Sequence, residues 1–177
     1  MLEDCNISGS KLALFSKTID ELLDNKHKVL VFSQFVDHLS ILRRELDRKC
    51  VSYQYLDGST PVKQRKQSVE AFQAGQGDVF LISLKAGGLG LNLTAADYVI
   101  HMDPWWNPAV EDQASDRAHR LGQQRPVMIY RLITQSTIEE RINQLHARKR
   151  DLADNLLEGA DISAKLSSED LLKLIRV

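Results

Sequence analysis

An α/β fold, a mostly parallel sheet with helices on both faces, is predicted by three observations in this sequence. Short β-branched runs alternate with amphipathic stretches from Lys28 to about Ile133. Several runs hold apolar residues at successive positions, the pattern of strands covered on both faces. The strict strand–helix alternation suits parallel strands, whose crossovers need a helix-sized connection. With 177 residues, 43% hydrophobic and 27% charged, the chain can bury one sizeable core without metal or disulfide.

A first helix is expected over residues 10–25, with Leu12, Phe15, Ile19, Leu22 and Leu23 on one face. Strands are expected over 29–32, 52–56, 79–82, 98–102 and 127–133. Phe35, Leu39, Leu42 and Leu46 repeat at helical spacing, and Val62, Val69 and Phe72 do so more loosely. Asn107 is a good N-cap with Pro108 at the first helical position, and that helix is read as running to about Gln123. A long helix follows over 137–157, ended by Gly159, and Ser167-Ser168-Glu169-Asp170 reads as the capped start of a short helix over 171–175. The chain thus divides into a flanking helix (1–27), an α/β unit (28–134) and a helical extension (135–177).

Composition narrows the function classes. No apolar run approaches a bilayer span, and the start lacks a signal peptide's basic and apolar regions. Cys5 and Cys50 have no C-x-x-C spacing, which fits a reducing compartment. The five histidines show no zinc-ligand spacing. A net charge of −1 argues against nucleic-acid binding through bulk positive charge, so phosphate contacts would need a local cluster or backbone N–H groups.

Three segments could carry chemistry. After the third strand run comes Ser83-Leu84-Lys85-Ala86-Gly87-Gly88-Leu89-Gly90-Leu91-Asn92-Leu93. Its glycines would let backbone N–H groups approach a phosphate, and a tight structural turn explains them equally well. No dinucleotide fingerprint is completed and no P-loop exists, since no glycine is followed by lysine. After the fourth run comes Asp103-Pro104-Trp105-Trp106-Asn107-Pro108, where an exposed indole could stack on nucleic acid while its neighbour packs under the helix. In the helix that follows, Gln113, Arg117 and Arg120 fall at i, i+4 and i+7, one line beside an apolar stripe of Val110, Ala114, Ala118 and Leu121. Two guanidiniums one turn apart suit phosphate oxygens; interaction with the helix C-terminus is the structural alternative.

Taken together and in this order, these segments resemble the C-terminal lobe of Swi/Snf-type ATPases of helicase superfamily two, over about residues 10–157. Val31-Phe32-Ser33-Gln34-Phe35 looks like motif IV, and Leu56-Asp57-Gly58-Ser59-Thr60 with Arg65 is similar to the next block. Residues 84–93 look like motif V, followed by the family's Trp106-Asn107-Pro108. Residues 113–123 match the motif VI pattern Q-x-x-x-R-x-H-R-x-G-Q.

The resemblance implies a RecA-like lobe with a C-terminal helical brace. It implies that Arg117 and Arg120 are arginine fingers for ATP, supported by Gln113, with Gly88, Gly90 and Asn92 lining the nucleotide cleft. Ser33, Gln34, Arg65, Ser83 and Lys85 would touch the DNA backbone, and Trp106 the duplex. The partners implied are an N-terminal RecA-like lobe, double-stranded DNA and DNA-bound proteins, with no membrane. ATP and magnesium would be held mainly by that first lobe, whose P-loop lysine and acidic pair are not in this sequence. Met1 is therefore read as the start of a fragment that does not hydrolyse ATP alone. A compact core without long basic insertions favours a bacterial cytoplasm, near the nucleoid, over a nucleus. A non-catalytic α/β binding module and an RNA-helicase lobe are the rival readings.

Overall fold

The computed structural model describes residues 9–87, 91–119, 123 and 125–157. Five strands, β1 (Val29–Ser33), β2 (Tyr53–Leu56), β3 (Val79–Ser83), β4 (Tyr98–His101) and β5 (Met128–Arg131), form one sheet in the order β2-β3-β1-β4-β5. Every pairing is parallel, with Val31 opposite Leu81 and Ile100 at the centre. The helices are α1 (Ser10–Asp24), α2 (Val36–Arg48), α3 (Val62–Gln73), the short α4 (Leu84–Gly87), α5 (Pro108–Ser115) and α6 (Ile138–Leu157).

The two faces of the sheet explain the continuous apolar runs. Val29 and Val31 of β1, with Val79 and Leu81 of β3, meet Phe15, Ile19 and Leu22 of α1 and Leu39, Leu42 and Leu46 of α2. The intervening Leu30, Phe32, Phe80 and Ile82 meet Phe72 of α3 and Ala114 of α5 on the other face. The period-2 alternation thus sends successive side chains into two separate cores.

Some periodic residues lie elsewhere. Phe35 caps α2 rather than joining its buried stripe and is 57% exposed, while Val62 at the start of α3 is 83% exposed. Val69 packs on the core only partly. Met128 and Ile129 of the edge strand β5 are exposed, unlike the successive apolar residues of β1 and β3. The short helix expected over 171–175 lies outside the described residues.

Three helices end alike. His27 N–H donates to Leu22 O at 3.0 Å, Val51 N–H to Leu46 O at 3.0 Å, and Gln76 N–H to Ala71 O at 2.8 Å. Each is the six-residue bond of a Schellman stop, which needs a left-handed residue just before the donor. Gly75 supplies it at φ +94° with no steric cost, whereas Lys26 and Cys50 adopt φ 59° and 55°.

Two polar groups inside this frame make stability depend on pH. His101, 1% exposed, stacks on Phe32 at 5.5 Å and meets Ser115 Oγ through Nε2 at 2.9 Å. Burial pushes its pKa down from 6.5 to about 4, against the opposing pull of Glu111. Asp57, just beyond β2, accepts the Ser59 hydroxyl at 2.7 Å and amide at 2.8 Å, and the Tyr55 hydroxyl at 2.8 Å. The Ser59 bond above all holds its pKa at about 2, below the usual 3.8.

In both cases the unfolded chain binds the proton more readily, so each group's stabilisation is present at neutral pH and lost on acidification. Denaturant titrations should show stability falling first between pH 6.5 and about 4, from His101. A second loss should follow from 3.8 towards 2, from Asp57. His101→Asn should remove the upper stage, and Asp57→Asn should lower stability at pH 7 by about 2 kcal/mol. An unchanged acid profile in His101→Asn would contradict the assignment.

Candidate functional site

Because all five strands are parallel, the loops after them open on one edge of the sheet, where ligands of such folds collect. The connection from β1 runs towards β2 on one side, and β4 lies on the other, so the sheet order reverses between β1 and β4. Asp103 stands at that point, directly beyond β4, and is 3% exposed. Its carboxylate accepts the Ser33 hydroxyl at 3.0 Å, the Gln34 N–H at 2.8 Å and His38 Nδ1 at 3.0 Å. One buried acid therefore fixes the start of α2 against the end of β4.

Ser33 and Ser83 were expected to touch DNA, and the structure turns both inward. Ser33 is fully buried, donating to Asp103 and accepting the Phe35 N–H at 3.1 Å. Ser83 is 2% exposed and accepts the Ala86 N–H at 3.4 Å, capping α4. Each sits at the last position of a strand whose side chains alternate into the cores, so its hydroxyl serves the turn that follows. At the same edge Gln34 is half-buried and Lys85 is exposed. Arg65 is half-buried too: its Nε donates to Thr60 O at 2.7 Å and one terminal nitrogen to Gly58 O at 3.1 Å. That guanidinium holds together the loop built on Asp57.

The glycine-rich loop and the arginine segment adjoin. Leu93, fully buried, donates its N–H to the carbonyl of Arg117 at 3.0 Å. Asn92 beside it is exposed, while Gly88 and Gly90 lie outside the described residues. The helix bearing Arg117 departs from its expected course. It starts as read, with Asn107 Oδ1 accepting the Ala109 N–H at 3.2 Å and Pro108 in the first turn. It stops at Ser115, where Arg117 N–H bonds Ala114 O at 3.2 Å and Ala118 N–H bonds Ser115 O at 3.0 Å.

These tighter three-residue turns take Arg117 off the line of Gln113. Gln113 is exposed, whereas Arg117 is buried at 5% exposure. The bond from Leu93 to the Arg117 carbonyl sets this turn against the end of the glycine-rich loop. Arg120, the second guanidinium of the expected line, lies outside the described residues.

The tryptophan turn divides as expected. Trp105 packs partly against the core under α5, and Trp106 is 63% exposed. The Lys149 ammonium of α6 lies 5.6 Å from the Trp106 ring centroid. Below the turn is Glu111, fully buried, which accepts the Trp105 N–H at 2.7 Å and pairs with Arg131 Nε at 2.9 Å. Sequence reasoning gave Asp103 and Glu111 no role. A signal existed for each: an acid at the carboxyl end of a buried strand, and one on a helix turn facing a basic residue of the next strand.

Among the described residues, no group of three or more His, Cys, Asp and Glu could hold a metal ion. No described helix is long and apolar enough to cross a membrane. Among the described residues, this edge carries the half-buried Arg65 guanidinium, the exposed Lys85 and the exposed Trp106 ring.

Comparison with known proteins bears on the same segments. The helicase conserved C-terminal domain matches residues 10–122. An uncharacterized ATP-dependent helicase of Mycoplasma genitalium is 46% identical over 168 residues, covering 94% of this chain and 16% of the relative. The human SWI/SNF-related matrix-associated actin-dependent regulator of chromatin subfamily A member 1 is 39% identical, over 96% of this chain and 17% of its own length. The chain thus spans about a sixth of these relatives. Among solved structures, the C-terminal part of the Fun30 ATPase domain superposes with a TM-score of 0.75 at 40% identity, covering 78% of this chain and 45% of that one. Fold, motif order and these likenesses agree: the chain belongs to the helicase conserved C-terminal domain family, as a Swi/Snf-type C-terminal lobe of helicase superfamily two.

Proposed function

We propose that this lobe completes the ATP site of a double-stranded-DNA translocase by supplying arginine fingers to a nucleotide held on a partner lobe. The observation that carries the reading is the bond from Leu93 N–H to Arg117 O, which sets the arginine turn against the end of the glycine-rich loop. ATP supplies the phosphoryl group, and its magnesium neutralises charge across the phosphates. Residue types of this kind would suit the phosphate end of that ligand, since forked guanidiniums and backbone N–H groups match its oxygens.

Arg117 is buried in the lobe as it stands, so its delivery to the cleft requires the turn over 116–119 to rearrange on lobe closure. Arg120 and Gln113 complete the set. Such fingers act only in the closed arrangement, so closure and hydrolysis are coupled through differential binding. Gln34, Arg65 and Lys85 would follow the DNA backbone, which gives movement without sequence readout. Ser33 and Ser83 then act indirectly, by shaping the loops that carry those contacts. Trp106, with Lys149 beside it, presents an aromatic face and a cation to the duplex.

Translocation by two such lobes would displace or remodel DNA-bound proteins. It requires a second lobe with a P-loop, so the isolated chain is not expected to turn over ATP.

In the intact protein, Arg117→Ala and Arg120→Ala should each lower DNA-stimulated ATP hydrolysis by about 10³-fold or more. Duplex affinity should be largely retained in both. Near-normal turnover in both variants would contradict the arginine-finger assignment. The purified chain alone should show no DNA-stimulated hydrolysis, and the intact protein should respond to duplex DNA rather than RNA. Activation by RNA instead would place the lobe with RNA helicases, and tight ATP binding by the chain alone would favour a regulatory binding module.

A further inference from the structure

We propose that Glu111 is a positioning residue: its carboxylate, held between Arg131 and the backbone of Trp105, fixes the turn that presents the Trp106 ring to duplex DNA. The inference rests on the reading of Trp106 as a DNA contact, and it names what holds that ring in place.

Glu111 has no exposed surface, yet it is a carboxylate. A buried acid persists where both oxygens find donors. Here Oε1 takes the Trp105 N–H at 2.7 Å and Oε2 takes Arg131 Nε at 2.9 Å. Three separate stretches of chain meet on this one group: the β4–α5 turn, the first turn of α5, and β5. Arg131 is 23% exposed at its side chain and also reaches Asp112 at 3.5 Å.

The rest of α5 offers the turn little other restraint. It is an eight-residue helix that faces the core with alanine at Ala114, so small side chains give it little apolar grip. One turn further on, Ser115 Oγ meets His101 Nε2, a second polar attachment to the sheet. The axial position of α5 is therefore set by polar bonds, and the one nearest Trp106 is Glu111. Trp106 itself is 63% exposed, with the Lys149 ammonium 5.6 Å from its ring centroid, so its aim depends on the backbone beneath it.

Glu111→Gln separates this role from bulk and packing. The amide keeps the side chain's size, and its oxygen can still accept the Trp105 N–H. Its NH2 group, however, meets the Arg131 guanidinium, donor against donor. In the intact protein, the duplex concentration giving half-maximal ATPase should rise about tenfold, with the KM for ATP within about twofold of the parent. Trp106→Ala should raise the same DNA parameter, and adding Glu111→Gln to it should change that parameter by less than about twofold, because both act through one turn. Arg131→Lys, which keeps the charge and loses the planar fork, should give a smaller rise of the same kind and decides the matter if Glu111→Gln does not fold.

Unchanged DNA half-saturation in Glu111→Gln or, failing that variant, in Arg131→Lys overturns the proposal. So does a full further loss when Glu111→Gln is added to Trp106→Ala, which would mark a general structural role. A parent enzyme that DNA does not stimulate would sink the translocase reading, and this assignment with it. A stimulated parent with a normal Glu111→Gln variant sinks this assignment alone.

Discussion

A parallel sheet covered on both faces is the constraint from which the rest of this lobe follows. Parallel neighbours cannot be joined by a tight hairpin, so each connection travels back across a face and lays a helix there. The side chains of β1 and β3 are consequently buried in both directions, Val29 and Val31 into one core, Leu30 and Phe32 into the other. The same geometry sends every strand's carboxyl end to one edge. Residues far apart in sequence, such as Gln34, Lys85 and Trp106, are thereby delivered to neighbouring loops without any element being built for the purpose.

Buried carboxylates organise that edge. Asp57 closes the loop after β2, Asp103 ties the start of α2 to the end of β4, and Glu111 joins the tryptophan turn to β5. Each accepts backbone N–H groups that a turn would otherwise leave without partners, and each is less than a tenth exposed. Charge-assisted bonds of this kind are short and directional, so they restrain loop position more tightly than apolar contact would. On the proposed function, a lobe that meets nucleotide and DNA repeatedly in one geometry needs that restraint where regular structure ends.

Much of the fold was legible because periodicity reports burial directly. Leu39, Leu42 and Leu46 declared the inner face of α2, and Asn107 with Pro108 declared the start of α5 through local capping chemistry. The misplacements share a cause, which is that spacing is silent about long-range partners. Phe35 and Val62 fit a helical stripe yet sit where their helices begin. Arg117 fits the line of Gln113, yet the helix ends at Ser115 and the Arg117 carbonyl accepts the N–H of Leu93, a residue of another loop. The motif segments at 33–35, 83–87 and 103–108 lie at the edge beyond the strands' carboxyl ends. Which side chains face outward was decided by strand alternation at Ser33 and Ser83, where the hydroxyls bond inward.

The proposed role of the arginines is to meet the phosphates in a closed cleft. It is tested most directly by a structure of the intact protein with duplex DNA and a transition-state analogue of phosphoryl transfer. The account predicts the guanidinium of Arg117 or Arg120 within about 3 Å of the analogue's oxygens. A closed complex with nucleotide and DNA in place, and both arginines still turned away from the phosphates, would contradict it.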